Sequence, residues 1–217
     1  RRVPVELVDS AQLRRELTFC QRDRETDSPV MVPLFTQEEN EFIVPRNYKI
    51  PWIKEPWLWD LRPSRGRVYP GIGSRVRLRP SQPSQIVESL LLPGDKILEL
   101  GCGRGKTVLA LHAALSSHRL PALVVVPTTQ LLQQWEERIT EHTSIPKERI
   151  GIIQGSKFRV HDCPIVLAVL DSVSIHQYPA WVYDWFRLVI FDECHTTGTP
   201  IKGRAAFLFS GERWGLT

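Results

Sequence analysis

Two short segments of this 217-residue sequence carry residue types that could bind and hydrolyse a nucleoside triphosphate. The first is the glycine-rich stretch KILELGCGRGKT, residues 96–107. Because glycine leaves backbone N–H groups open to an anion, we assign the phosphate cradle to Gly101, Gly103, Arg104 and Gly105. The Lys106 ammonium would reach the β and γ phosphates, and the Thr107 hydroxyl would hold Mg²⁺.

The second segment is RLVIFDECH, residues 187–195, in which an apolar strand ends in two carboxylates. ATP hydrolysis needs one carboxylate near Mg²⁺ and another that orients the attacking water. Asp192 fits the metal role and Glu193 the water role. The alternative is a strand that simply ends in surface acids. It is disfavoured by the apolar run and by the 85 residues that separate Thr107 from Asp192.

Strands and helices alternate from residue 84 onwards, and this alternation would position both segments. The pattern predicts helices over 84–92, 106–117 and 129–142, and strands over 96–100, 122–126, 150–153, 165–170 and 187–191. Such alternation implies right-handed crossovers and a parallel α/β sheet. Ligands bind beyond the carboxyl ends of the strands in such sheets, which is where both segments would lie.

The first part of the chain differs in composition, because 11 of the 17 prolines fall within residues 1–93. Asp9 or Ser10 could cap a short helix. Residues 30–35 and 41–44 are typical of two strands of one small sheet, separated by a polar turn over 36–40. The sequence therefore predicts a small mixed α+β domain ahead of the α/β sheet.

The glycine-rich stretch alone admits a second interpretation. The string ILELGCGRG is similar to the loop of S-adenosylmethionine-dependent methyltransferases, in which an acid (here Glu99) precedes the glycines. The phosphate-loop pattern in turn expects glycine at position 100, where this chain has Leu100. The methyltransferase fold needs an acid after the next strand to hold the ribose hydroxyls. That strand ends VVPTT, residues 125–129, without an acid.

Five segments of the sequence resemble the DExH-box helicases of superfamily 2, whose motors are RecA-like P-loop NTPase domains. GRGKT resembles motif I of that family, PTTQLLQQW (127–135) motif Ia and DECH motif II. LRPSQ (78–82) is similar to the element whose glutamine contacts adenine, which gives Gln82 that role. GLT (215–217) is similar to the opening of motif III. The resemblance implies an ATP hydrolase with ATP and Mg²⁺ as cofactors.

The resemblance also implies roles for residues outside the nucleotide loop. His195 would couple the nucleotide site to the nucleic-acid side through motif III. Small polar groups and backbone donors can contact a phosphate backbone without reading sequence. The candidates for such nucleic-acid contacts are Thr128, Thr129, Gly155 and Ser172.

Two segments narrow the resemblance to one group within this family. GCGRGKTVLAL (101–111) and IVPRNY (43–48) are similar to segments of duplex-DNA helicases of the repair and transcription type and of their relatives in large DNA viruses. DNA is therefore favoured over RNA as the partner. Residues 1–77 are predicted to be an accessory domain. Residues 78–217 are predicted to be the first RecA-like domain, truncated in motif III. The second RecA-like domain would be the other partner, and without it this chain would be nearly inactive.

Composition limits the remaining classes of protein. The net charge is +4, and no apolar run approaches the roughly 20 residues that a membrane helix needs. The four cysteines lie 82, 61 and 31 residues apart, which suits neither a zinc site nor a disulfide scaffold. With no signal peptide at the start, the sequence favours an intracellular protein, in the nucleus or cytoplasm, without a membrane partner. The alternatives left open are a non-motor nucleic-acid-binding module and the methyltransferase.

Overall fold

The computed structural model describes residues 2–22, 27–33, 35–44, 67–79 and 84–217. These residues belong to two compact units, Arg1–Asp60 and Leu61–Thr217. The division differs from the boundary expected after residue 77, because backbone hydrogen bonds tie the segment 67–79 to the second unit. Arg67 N–H donates to the Leu120 carbonyl at 2.9 Å, and Arg75 N–H donates to the His142 carbonyl at 2.7 Å.

The first unit is mixed α+β. Its strands are β1 (Arg2–Pro4), β2 (Thr18–Arg22), β3 (Pro29–Pro33), β4 (Thr36–Gln37) and β5 (Glu41–Ile43), and its helix is α1 (Ser10–Glu16). The Asp9 carboxylate caps α1 by accepting from the N–H groups of Ala11 and Gln12, both at 3.0 Å. The core of this unit consists of Val3, Leu13, Leu17, Phe42 and Val44.

The predicted pairing within the first unit was wrong. Strand β3 pairs antiparallel with β2, while β5 pairs with β1 and β4 in a separate three-stranded sheet. Thr36 and Gln37 are not in a turn, because they lie opposite Ile43 and Phe42 as strand partners. The turn is confined to the residues between them, and Glu38 N–H closes it on the Glu41 carbonyl at 2.8 Å.

The second unit is built on a seven-stranded sheet in the order β6-β12-β11-β7-β10-β8-β9. Neighbouring strands are parallel except for the β8–β9 pair. The strands are β6 (Lys96–Leu98), β7 (Ala122–Val126), β8 (Ile150–Gln154), β9 (Lys157–Arg159), β10 (Ile165–Val169), β11 (Leu188–Phe191) and β12 (Glu212–Leu216). This arrangement confirms the predicted α/β class with a parallel sheet.

Helices cover both faces of the sheet. They are α2 (Ser84–Leu91), α3 (Lys106–Ser116), α4 (Thr129–His142), α5 (Leu170–Ile175), α6 (Ala180–Tyr183) and α7 (Pro200–Leu208), and the second unit also has short 3₁₀ segments at Lys147–Arg149 and Cys194–Gly198. A further 3₁₀ segment, Val5–Leu7, belongs to the first unit. Every residue of β7 is buried. Alternate side chains serve the two faces, because Val124 belongs to one apolar core and Val125 to the other.

Strand β12 was not predicted as a strand. Its charged residues suggest a surface segment, yet each has a partner inside the fold. Buried Glu212 accepts from Arg119 Nε at 3.1 Å, and Arg213 Nη2 donates to Asp95 Oδ2 at 2.6 Å. Because β12 inserts between β6 and β11, its end lies beside the glycine-rich loop.

Candidate nucleotide and nucleic-acid site

The glycine-rich loop connects the end of β6 to the start of α3. Gly103 and Gly105 have φ values of +73° and +85°, a backbone region that glycine adopts without strain. Gly105 stands directly before the first residue of α3. The loop therefore presents its N–H groups where the positive end of the helix dipole adds to them. Lys106 Nζ donates to the Leu100 carbonyl at 3.1 Å, which holds the ammonium over the loop.

Asp192 lies at the carboxyl end of β11 and is 8% exposed. Both of its carboxylate oxygens have donors: Trp135 Nε1 bonds Oδ2 at 2.7 Å, and Glu193 N–H bonds Oδ1 at 3.1 Å. Burial is the largest influence and raises the pKa of Asp192 above its usual value, and the negative charge of Glu193 also raises it, while the two hydrogen bonds and the Lys106 ammonium lower it in part. Its carboxylate supplies the type of oxygen ligand that Mg²⁺ prefers.

Glu193 and His195 follow Asp192 on a tightly turned segment. Glu193 has φ +48°, the left-handed conformation, which starts the 3₁₀ turn over Cys194–Gly198. His195 Nδ1 lies 3.5 Å from Glu193 Oε2 and 3.4 Å from Thr217 Oγ1. Thr217 is itself joined to β6, because its N–H donates to the Leu98 carbonyl at 3.1 Å. The segment expected to resemble motif III thus contacts both the histidine and the loop strand.

One cleft of about 620 Å³ brings together most of the predicted nucleotide residues. The predicted residues that line it are Gly101, Gly103, Arg104, Gly105, Lys106, Thr107, Asp192 and Glu193. His195 does not line the cleft, and Gln82 lies outside the described residues. The donor set is oxygen from Thr107 and Asp192, which matches the preference of Mg²⁺.

The cleft also contains residues that sequence reasoning missed. The additional polar lining contains four arginines, Arg75, Arg77, Arg79 and Arg138, together with Gln134, Trp135, Glu141 and His142. The sequence between Asp60 and Glu88 contains no acidic residue, and three of its arginines, Arg75, Arg77 and Arg79, line the nucleotide cleft. The only signal in the sequence for their position beside the loop is that they lie in or just before LRPSQ (78–82), the element expected to contact adenine.

The four predicted nucleic-acid residues follow the ends of three neighbouring strands. Thr128 caps α4, accepting from Leu131 N–H at 3.3 Å, and the adjacent Thr129 hydroxyl accepts from Gln154 Nε2 at 2.8 Å. Gly155 N–H donates to Ser172 Oγ at 3.1 Å.

The Gly155 N–H is therefore not the open donor that the sequence suggested. Ser172 is 8% exposed and lies behind Gly155, so its hydroxyl supports the loop rather than forming its surface. Gly155 itself is exposed and has φ +55°.

Gly215 on β12 lies close to Cys194, the residue that follows Asp192 and Glu193 in the chain. A Cβ at this position would lie 2.9 Å from Cys194 Sγ and 3.1 Å from Cys194 Cβ. We expect Gly215→Ala to lower the free energy of unfolding by about 1–3 kcal/mol, because overpacking forces neighbouring atoms to move. Urea denaturation would measure the loss.

Cys194→Ala provides the matched test of that explanation, since it removes the nearer sulfur atom. Its combination with Gly215→Ala should recover part of the lost stability. Strictly additive losses in the double variant would show that this contact is not the cause.

Within the described residues, no group of three or more His, Cys, Asp or Glu side chains is arranged to hold a metal ion. Across the same residues, no helix has the length and apolar character required to cross a bilayer.

Comparison with known proteins places these features in a family. The sequence model described as "Type III restriction enzyme, res subunit" matches residues 76–209. A protein of Kineococcus radiotolerans named as the DNA 3'-5' helicase XPB is 29% identical over 147 residues, which cover 64% of this chain and 26% of that protein. A protein of Acanthamoeba polyphaga mimivirus, provisionally named as an ATP-dependent RNA helicase, is 30% identical over 173 residues, covering 76% of this chain and 32% of that protein.

A solved structure shares the fold. The Sulfolobus solfataricus SWI2/SNF2 ATPase core in complex with double-stranded DNA superimposes with a TM-score of 0.53 at 20% identity, covering 67% of this chain and 32% of that one. The chain thus spans about a quarter to a third of the length of the two curated relatives described above. The family match favours the phosphate-loop interpretation over the methyltransferase one. Because that match covers most of the second unit, the chain belongs to the family of the type III restriction enzyme res subunit, within the superfamily 2 helicases.

Proposed function

We propose that this chain is the ATP-binding, N-terminal half of a helicase or translocase that hydrolyses ATP to ADP and phosphate while acting on nucleic acid, with duplex DNA as the favoured partner. The observation that carries the proposal is the single cleft that brings the glycine-rich loop beside Asp192 and Glu193. The family assignment supports it independently.

Nucleotide binding follows from the geometry of the loop. The N–H groups around Gly103 and Gly105 would donate to the phosphates, and Lys106 would exchange its bond to the Leu100 carbonyl for a phosphate oxygen. Thr107 and Asp192 would hold Mg²⁺. When bound, the ion neutralises charge that develops between the β and γ phosphates.

Hydrolysis requires a group that orients water. Glu193 lines the cleft one residue after the metal carboxylate, and its carboxylate would accept a hydrogen bond from the attacking water. His195 lies between Glu193 and Thr217, which fits a role in coupling rather than direct contact with ATP. The positive charge on the far side of the γ-phosphate would come from a second RecA-like domain.

Nucleic acid would lie along the ends of β7, β8 and β10. Thr128, Thr129 and Gly155 are exposed there, and Ser172 supports Gly155 from below. Contacts of this kind position a phosphate backbone without selecting bases. Of the two relatives described, one is named for DNA and the other for RNA. An intracellular location, in the nucleus or cytoplasm, follows from this activity and is part of the proposal.

A paired assay tests the function. The chain alone should turn over ATP barely above background, since the second domain's charge is needed for a rate gain of orders of magnitude. It should bind a DNA duplex at least as tightly as an RNA duplex of equal length, and ATP should alter that affinity. Fluorescence anisotropy with labelled duplexes measures the binding. Brisk turnover stimulated by nucleic acid would contradict the need for a second domain.

The non-motor binding module is the second candidate, favoured by the exposure of Thr128, Thr129 and Gly155. It predicts that the affinity for a duplex does not depend on ATP and that Lys106→Ala leaves this affinity unchanged. The helicase proposal predicts that this variant loses the response of duplex affinity to ATP.

A further inference from the structure

The indole of Trp135 is the buried partner of the carboxylate proposed to hold Mg²⁺. Trp135 lies in the second turn of α4 and is 1% exposed. Its Nε1–H donates to Asp192 Oδ2 at 2.7 Å, while Asp192 is 8% exposed. A hydrogen bond this short to a carboxylate belongs to the stronger, charge-assisted class.

The two donors to Asp192 fix the orientation of its carboxylate. Trp135 holds Oδ2, and the backbone N–H of Glu193 holds Oδ1 at 3.1 Å. Each carboxylate oxygen has two acceptor sites, so each keeps capacity for another ligand while these bonds persist. In this structure the two bonds thus hold both carboxylate oxygens in place.

We propose that Trp135 is a positioning residue for metal-dependent ATP binding. Its indole N–H keeps the Asp192 carboxylate in place in the cleft that Thr107 also lines, so that the cation meets a prearranged oxygen. Residues that orient a metal ligand from behind typically change metal affinity by 10–100-fold when replaced. The inference rests on the proposed function, because Asp192 matters in this way only if the cleft binds Mg-ATP.

The substitution Trp135→Phe removes the N–H donor and retains an aromatic ring. We expect the gain in ATP affinity on adding Mg²⁺ to fall about tenfold. ATP affinity measured in EDTA should change less than about twofold, because the ring still fills its place. Titration of a fluorescent ATP analogue with and without Mg²⁺ gives this ratio. General damage to the fold would instead lower both affinities together.

Trp214→Phe is a closely matched control. Trp214 is also fully buried, and its Nε1–H donates to the buried carboxylate of Glu212 at 3.0 Å. It does not line the cleft. This variant should keep the magnesium ratio of the parent chain, although it loses the same kind of hydrogen bond.

The possible outcomes distinguish a failure of the proposed function from a failure of the inference about Trp135. If the parent chain shows no magnesium-dependent ATP binding, the proposed function fails. If the parent binds and Trp135→Phe keeps its full magnesium ratio, only the role of Trp135 is overturned. Should Trp135→Phe not fold, benzothienylalanine at position 135 keeps the bicyclic shape and replaces N–H with sulfur. The same tenfold loss is expected, and an unchanged ratio would overturn the inference.

Discussion

Replacing Lys106 with alanine should abolish the stabilisation of this chain by Mg-ATP. A ligand present at 100 times its dissociation constant adds about 2.7 kcal/mol to the free energy of unfolding. That gain would raise the melting temperature of a domain of this size by several degrees. Lys106 begins α3 and lines the cleft with the loop glycines, so its ammonium lies where the phosphates would bind. Differential scanning fluorimetry with increasing Mg-ATP measures the shift.

Lys147→Ala is the control for the loss of one lysine. Lys147 is 67% exposed and pairs with Glu136 at 3.2 Å, outside the cleft lining. This variant should keep the full Mg-ATP shift. S-adenosylmethionine, added in parallel, should give none. Stabilisation by S-adenosylmethionine alone would mean that the loop binds a different ligand and that the ATPase proposal is wrong.

Arg119→Ala should cause the largest loss of stability among the substitutions considered. Arg119 is 6% exposed, and its Nε donates to Glu212 Oε2 at 3.1 Å. Its Nη2 also donates to the carbonyls of Leu91 and Leu92, at 3.0 and 2.8 Å. Removing one partner of a buried ion pair costs about 3–5 kcal/mol when the other charge is left uncompensated. Glu212 would keep Lys96 Nζ at 3.7 Å and the Trp214 indole N–H at 3.0 Å, so we expect a loss at the lower end of that range. Urea denaturation followed by tryptophan fluorescence would measure the change.

Arg138→Ala is the control variant, because it removes an arginine from an exposed ion pair rather than a buried one. Arg138 Nη1 lies 2.8 Å from Glu141 Oε2, but the two side chains are 54% and 57% exposed. Exposed pairs are worth about 0–1 kcal/mol, so this variant should unfold close to the parent. If both variants lost similar free energies of unfolding, burial of the Arg119–Glu212 pair would not explain the contribution of that pair to stability.

The elements that sequence could predict are those with local signals. Strand β7 is a continuous apolar run, and α4 begins after a threonine cap and carries Trp135 and Ile139 on one stripe, so both have the predicted bounds. Strand β12 carries charges at 212 and 213 that local patterning assigns to the surface. Its ionic partner Arg119 is 93 residues away in the chain, and no local signal reveals that distance.

The same limit applies to the candidate site. Motif order predicted that Lys106, Thr107 and Asp192 would lie together, because parallel strands share one ligand-binding edge. Motifs carried no information on Trp135, whose role depends on one side-chain hydrogen bond across 57 residues. Nor could they show that the N–H of Gly155 is already bonded, since that depends on where Ser172 lies.

The strand that leads into the glycine-rich loop is held by the last strand of the described chain. Among the described residues, β6 pairs with β12 alone, with Lys96, Ile97 and Leu98 opposite residues 214–216. Contacts this distant in sequence form late, because a long loop must close first. During synthesis on the ribosome, the nucleotide loop would therefore lack its supporting strand until residue 216 had left the exit tunnel. A nascent chain arrested earlier should fail to bind ATP even though its glycine-rich loop and DECH segment are complete.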